Sequence, residues 1–175
     1  DGASFSLQRG DLEHTWSTGL TCPEEVGPHA QTCAIFDIYD RFLTENKMTL
    51  QAHCLRTWFY VRDVDTNYKG LVTGRNEVFS RQQLSPETHY IASTAIQASF
   101  TDKNTLVMMD AYAIKGVQAE QIRYLQALDH LSHTHDYGVA FERATSVAYR
   151  DRKHIIVSGT ASIDASGNVV HEGDV

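Results

Sequence analysis

The sequence predicts an α/β chain of the α+β layered kind, with a mixed sheet backed by two helices, and three observations carry that expectation. Ile35, Ile38, Tyr39, Phe42 and Leu43 recur at i, i+3, i+4, i+7 and i+8, the apolar stripe of an amphipathic helix. "HCLRTWFYVRD" alternates two sets of residues and is dominated by β-branched and aromatic side chains, as a strand requires. Two more such runs, "HYIASTAI" and "TLVMMDAYAI", follow a second helical stripe, so long-range pairing with the first run gives a mixed sheet.

Taken in order, "FSLQRGDLEHTWSTGL" reads as one or two short strands and a turn ending at Thr18-Gly19. Pro23, Gly27 and Pro28 punctuate a loop over 20–29, the first helix runs from Ala30, and Asn46 ends it. In the strand that follows, Leu55, Thr57, Phe59 and Val61 face one way, and Arg56, Trp58, Tyr60 and Arg62 face the other, a wet or functional side. Asp65 caps the second helix, Tyr68, Leu71, Val72, Val78 and Phe79 line its buried side, and Leu84-Ser85-Pro86 terminates it. A polar turn around Thr101 to Asn104 joins the next two strands. Residues 117–136 are polar and rich in Gln and His, and read as a connector with one helical turn. Strand-like alternation then resumes from Tyr137. Residues 5–19 and the segment ending at Ser158-Gly159 each open on a Phe and lead through strand to a hydroxyl-Gly pair, a faint internal repeat. The expected organisation is therefore one unit over 1–116, a connector, and over 137–175 the beginning of a second, incomplete unit.

The chain has 175 residues, a formal net charge of −7, and 15 Lys and Arg that do not cluster. Such a surface repels a phosphate backbone, so nucleic acid is not the expected partner. No apolar run approaches the roughly 20 residues that span a bilayer, so no membrane association is expected. Cys22, Cys33 and Cys54 make an odd count without CxxC spacing, which favours reduced thiols and a cytoplasmic location. No P-loop, GxGxxG, HExxH or EF-hand pattern is present, so no cofactor and no dedicated metal are expected. "HLSHTHD" gathers His130, His133, His135 and Asp136, but no helix holds their spacing.

At "CLRTWFYVRDVDTNYKGLVTGRNEVF", followed by "THYIASTAI" and "MMDAYAI", the sequence resembles the Rid family of reactive intermediate deaminases, the YjgF-like or L-PSP endoribonuclease group. "VSGTASIDASGNVVHEGDV" resembles the opening of a second Rid unit, which implies a tandem-domain member truncated in that unit. The resemblance implies a chorismate-mutase-like fold, a homotrimer or pseudo-trimeric assembly, and an intersubunit cleft that hydrolyses imines and enamines. The family's carboxylate-gripping Arg falls at His89 and its water-positioning Glu at Met108. An imidazole offers no bidentate fork, and a thioether cannot polarise water. The same resemblance places Tyr137 in the pocket and Ser158-Gly159 at its hydroxyl-Gly turn, facing His89. "RTWFY" also resembles a stretch of the chorismatases, more distant relatives with a Rid-like domain.

Three functions remain open on these residues. One is a Rid-like protein binding a small-molecule carboxylate or imine metabolite, either an imine hydrolase with His89 as proton shuttle or a degenerate member. Another is a chorismatase-like hydrolase in which Arg56, beside Trp58, grips a carboxylate; the same pair also fits a cation–π contact covering the sheet. The last is a non-catalytic ligand-binding or scaffold protein. Asp110 points into the cleft or to water, Cys54 reads as a buried inert thiol, and Gly159 as a residue chosen for a permissive backbone angle.

Overall fold

The computed structural model describes residues 2–174. Its first two strands, β1 (Ala3–Arg9) and β2 (Leu12–Leu20), form a hairpin closed at Gly10, whose φ of 60° suits glycine. The first helix, α1 (Pro28–Glu45), starts two residues before the expected Ala30, with Pro28 at a position where a missing N–H costs nothing, and Asn46 closes it. A single turn, α2 (Leu50–His53), leads into β3 (Cys54–Val61), then α3 (Val64–Arg81), β4 (Ala92–Gln97) and β5 (Val107–Lys115).

These strands make one mixed sheet in the order β1-β2-β5-β3-β4, with β4 parallel to β3 and every other pair antiparallel. Although β4 and β5 follow one another in the chain, β3 lies between them. Arg62 organises that crossing: its guanidinium donates to the carbonyls of Phe100 (2.8 Å), Asp102 (2.9 Å) and Thr105 (3.0 Å). Gln31 of α1 completes it, accepting from the N–H groups of Leu106 and Val107 while donating to the carbonyls of Glu25 and Asn104. All the bonding capacity of a buried amide is thereby used.

Both long helices cover one face of the sheet. Ile35, Phe36, Tyr39 and Leu43 of α1 and Leu71, Val78 and Phe79 of α3 pack on Phe59, Val61, Met109 and Ala111. Three local expectations change here. The α3 cap is Asp63, in the left-handed region at φ 43°, and Asp65 instead lies in the first turn, where a carboxylate complements the helix dipole. Tyr68 is exposed, because the buried stripe runs through Asn67, Leu71, Gly74, Arg75 and Val78, one position round the helix. On β3 a bulge between Cys54 and Arg56 breaks strict alternation. Cys54 therefore packs with the helices, while Leu55 joins the cluster on the sheet's outer face.

Residues 117–136 are more than a connector. They contain β6 (Ile122–Leu125), which pairs with β7 (Ala144–Ala148), and β7 pairs with β8 (Lys153–Val157). The strand was invisible locally because only Ile122 of its four residues is buried. This second sheet covers part of the first sheet's outer face, with Ile122 and Val147 packed on Leu55, Tyr112 and Ile114. Among the described residues no helix is long and apolar enough to cross a membrane.

Candidate functional site

β4 is the last strand of its sheet; Glu142 bridges its first residue, Ala92, and along the rest of its outer edge lies a cavity of about 700 Å³. α3 contributes Tyr68 and Arg75, the chain before β7 contributes Tyr137, Phe141 and Arg143, and Gly159 to Gly167 supply the remaining wall. Arg75 is 2% exposed. Its Nη1 donates to Ser93 Oγ at 3.4 Å, while Nε and Nη2 have no hydrogen-bond partner. Burial lowers its pKa to about 10, partly offset by the phenols of Tyr68 and Tyr137. Arg143, 4% exposed, donates from Nη2 to the carbonyl of Ser132 (2.9 Å) and leaves Nε unpaired. Its guanidinium stands 5.4 Å from the Phe141 ring centroid and 5.7 Å from that of Tyr137.

Among the described residues neither arginine forms an ion pair with a carboxylate. Holding a cation out of water costs several kcal/mol unless an anion compensates it. A cavity lined by two such cations and three aromatic rings is chemically suited to a small anion with a planar or apolar body.

Of the residues singled out from sequence, Tyr137 and Gly159 line this cavity and Ser158 supports its wall. Ser158 is buried between the two sheets. Its Oγ donates to the carbonyl of Glu142 (2.5 Å) and accepts from the Ser93 N–H (2.8 Å) and Arg56 Nη1 (3.3 Å). Its hydroxyl is saturated, which makes it a clamp. Gly159 has no positive φ; a Cβ there would stand 2.7 Å from Thr94 Cγ2, so close approach to the Thr94 side chain selects the glycine. Its N–H donates to Thr94 Oγ1 at 2.8 Å.

Arg56 is 4% exposed and binds inward, donating to Ser158 and Thr94 with its guanidinium 5.0 Å from the Trp58 ring. Burial lowers its pKa to about 10. Neither Arg56 nor Trp58 lines the cavity. His89 lies outside it as well. Its ring stacks on Tyr124 at 4.0 Å with an interplanar angle of 5°, Nδ1 donates to the Tyr90 carbonyl (2.9 Å), and burial lowers its pKa. Asp110 accepts from the Gly19 N–H (2.7 Å) and the Tyr60 hydroxyl (3.2 Å), pinning the β2 irregularity. Met108 lies opposite Tyr60 on the outer face. Burial pushes the Cys54 thiol up to about 12, as an inert thiol requires.

Sequence reasoning missed Arg75 and Arg143. A signal existed for the first: Arg75 follows Leu71 by four residues on a buried stripe, where a cation is out of place. For Arg143, in "AFERAT", no local pattern distinguishes it from a surface arginine.

No family model matches the chain, and no curated protein matches it. Solved structures do. A chorismatase structure superposes with a TM-score of 0.70 at 20% identity, over 97% of this chain and 53% of that one. The chain thus spans about half the length of that chorismatase. A YjgF-family protein from Neisseria meningitidis gives 0.50 at 17% identity, over 66% and 95% of the two chains. E. coli TdcF with bound serine gives 0.50 at 11% identity, over 63% and 85%. The chain has the fold shared by YjgF-type proteins and chorismatase.

Proposed function

We propose that this protein binds a small carboxylate-bearing metabolite in the cavity at the β4 edge, with Arg75 and Arg143 as its anion grip. The observation that carries the reading is Arg75: a fully buried guanidinium facing a cavity with two unsatisfied nitrogens and no acidic partner among the described residues. Tyr68, Tyr137 and Phe141 supply flat walls for the ligand's body. The described lining residues include no Asp, Glu, His or Cys, and the phenols of Tyr68 and Tyr137 are their only groups of the general acid–base kind, a set better fitted to binding and orientation than to a hydrolytic base. This favours the ligand-binding member of the three functions over imine hydrolysis. Serine, held by a protein of similar fold, belongs to the same ligand class.

Chorismate belongs beside simpler acids, because a chorismatase shares the fold over 97% of this chain and two arginines match a dianion. The test is thermal unfolding and calorimetry with benzoate, a short 2-keto acid, serine and chorismate. A ligand at a hundred times its dissociation constant adds about 2.7 kcal/mol of stability. Stabilisation that Arg75→Met and Arg143→Met abolish and His89→Ala preserves supports the reading. No stabilisation by any of the four overturns it.

A further inference from the structure

On the other side of α3, a second constellation stands apart from the cavity. α1 and α3 approach closely because α3 presents Gly70 and Gly74. A Cβ at Gly74 would meet the His29 carbonyl at 2.9 Å, and one at Gly70 would collide with the Pro28 ring. Along this seam, His29 and Cys33 lie four residues apart on one face of α1 and meet Glu77 of α3. His29 Nε2 is 2.9 Å from Glu77 Oε2, and the nitrogen, the Cys33 sulfur and a Glu77 oxygen all lie within 4.8 Å of one another. Among the described residues this is the one place where three His, Cys, Asp or Glu donors converge so closely.

We propose that His29, Cys33 and Glu77 form a zinc site that ties α1 to α3. Imidazole, thiolate and carboxylate are the donors zinc takes, whereas magnesium and calcium prefer all-oxygen sets. Zinc–ligand bonds of about 2.0–2.3 Å in a tetrahedron hold donors roughly 3.3–3.8 Å apart, a contraction that small side-chain rotations supply. Three protein donors leave the fourth position to water. His29 and Glu77 are 48% and 52% exposed, which gives the ion an entry path. Cys33 is half-buried, and its sulfur lies 3.8 Å from the Gly74 carbonyl. Both helices hold the donors on rigid backbone, so the site needs no folding of a loop to assemble. The imidazole-rich segment offers less: His133 and His135 stack at 4.9 Å and Asp136 lies 3.5 Å from His135, but among the described residues the donor atoms of these three do not converge as those of His29, Cys33 and Glu77 do.

The experiment titrates chelator-stripped protein with zinc chloride by calorimetry and with cobalt(II) by absorption. One equivalent bound, with a tetrahedral ligand-field spectrum and a thiolate-to-cobalt charge-transfer band, is the expected result. Cys33→Ser should remove that band while circular dichroism stays native. His29→Ala should weaken zinc binding by at least the roughly 10–100-fold that loss of a mere outer-shell partner costs. A double variant at His133 and His135 should leave both readouts intact. Absence of the charge-transfer band, or binding lost in the double variant and retained in Cys33→Ser, would overturn the proposal.

Discussion

Arg56 and Arg75 are both guanidinium groups withdrawn from water, and the two regions around them are built in opposite ways. Arg56 sits between the sheets, donating to Ser158 and Thr94 and lying against Trp58. Arg75 sits between helix and cavity with one long hydrogen bond and two idle nitrogens. The first region spends its cation on holding the sheets together. The second holds its cation in reserve. A buried charge whose guanidinium is tied to hydroxyls on both sheets reads as architecture, and one that leaves two nitrogens idle beside a cavity reads as a ligand site.

Substitutions sharpen that contrast, and the largest effect belongs to the cavity. Arg75→Met should remove carboxylate binding, a loss of about 2–5 kcal/mol in affinity. The unliganded protein should meanwhile unfold at the same urea concentration or a higher one, since an apolar side chain of similar volume needs no counter-ion. Loss of stability together with unchanged carboxylate affinity would break the comparison. Arg56→Met should do the reverse, destabilising the fold by about 1.5–3 kcal/mol, the worth of hydrogen bonds to a charged group, and leaving affinity nearly unchanged. Ser158→Ala strips the Ser93 N–H and the Glu142 carbonyl of their shared partner, and should cost about 1–3 kcal/mol in urea unfolding.

The smallest effect concerns pH. Burial lowers the His89 pKa in the folded protein, so between the unfolded value and the lower folded value the unfolded chain binds the extra proton. The stability owed to neutral His89 is therefore complete above roughly pH 6.5 and is lost as pH falls through the folded value. His89→Phe, which keeps the stack on Tyr124, should flatten the acid side of the stability profile. An unchanged slope would show that His89 titrates alike in both states.

Much of the fold could be read in the chain. The stripe at Ile35, Tyr39 and Leu43 marked α1, and the alternation of Thr57, Phe59 and Val61 marked the buried face of β3. What failed, failed for local reasons. The bulge at Leu55 turned one residue to the other face, and β6, with one buried residue in four, carried too little apolar signal to stand out from a loop. The candidate site was legible only at Tyr137 and Gly159. The sequence emphasis on Arg56 followed strand position, while Arg75 was hidden inside an otherwise ordinary helical stripe.

Periodicity by itself determined which segments are helix or strand and which of their faces leave water, because those properties depend on neighbours a few residues away. Only the tertiary structure decided what each buried face meets. Arg56 finds Ser158 across 102 residues of chain, and β3 separates two strands that are consecutive in sequence. Whether a guanidinium withdrawn from water finds an acceptor or an empty space is settled by such distant encounters, and they leave no local trace.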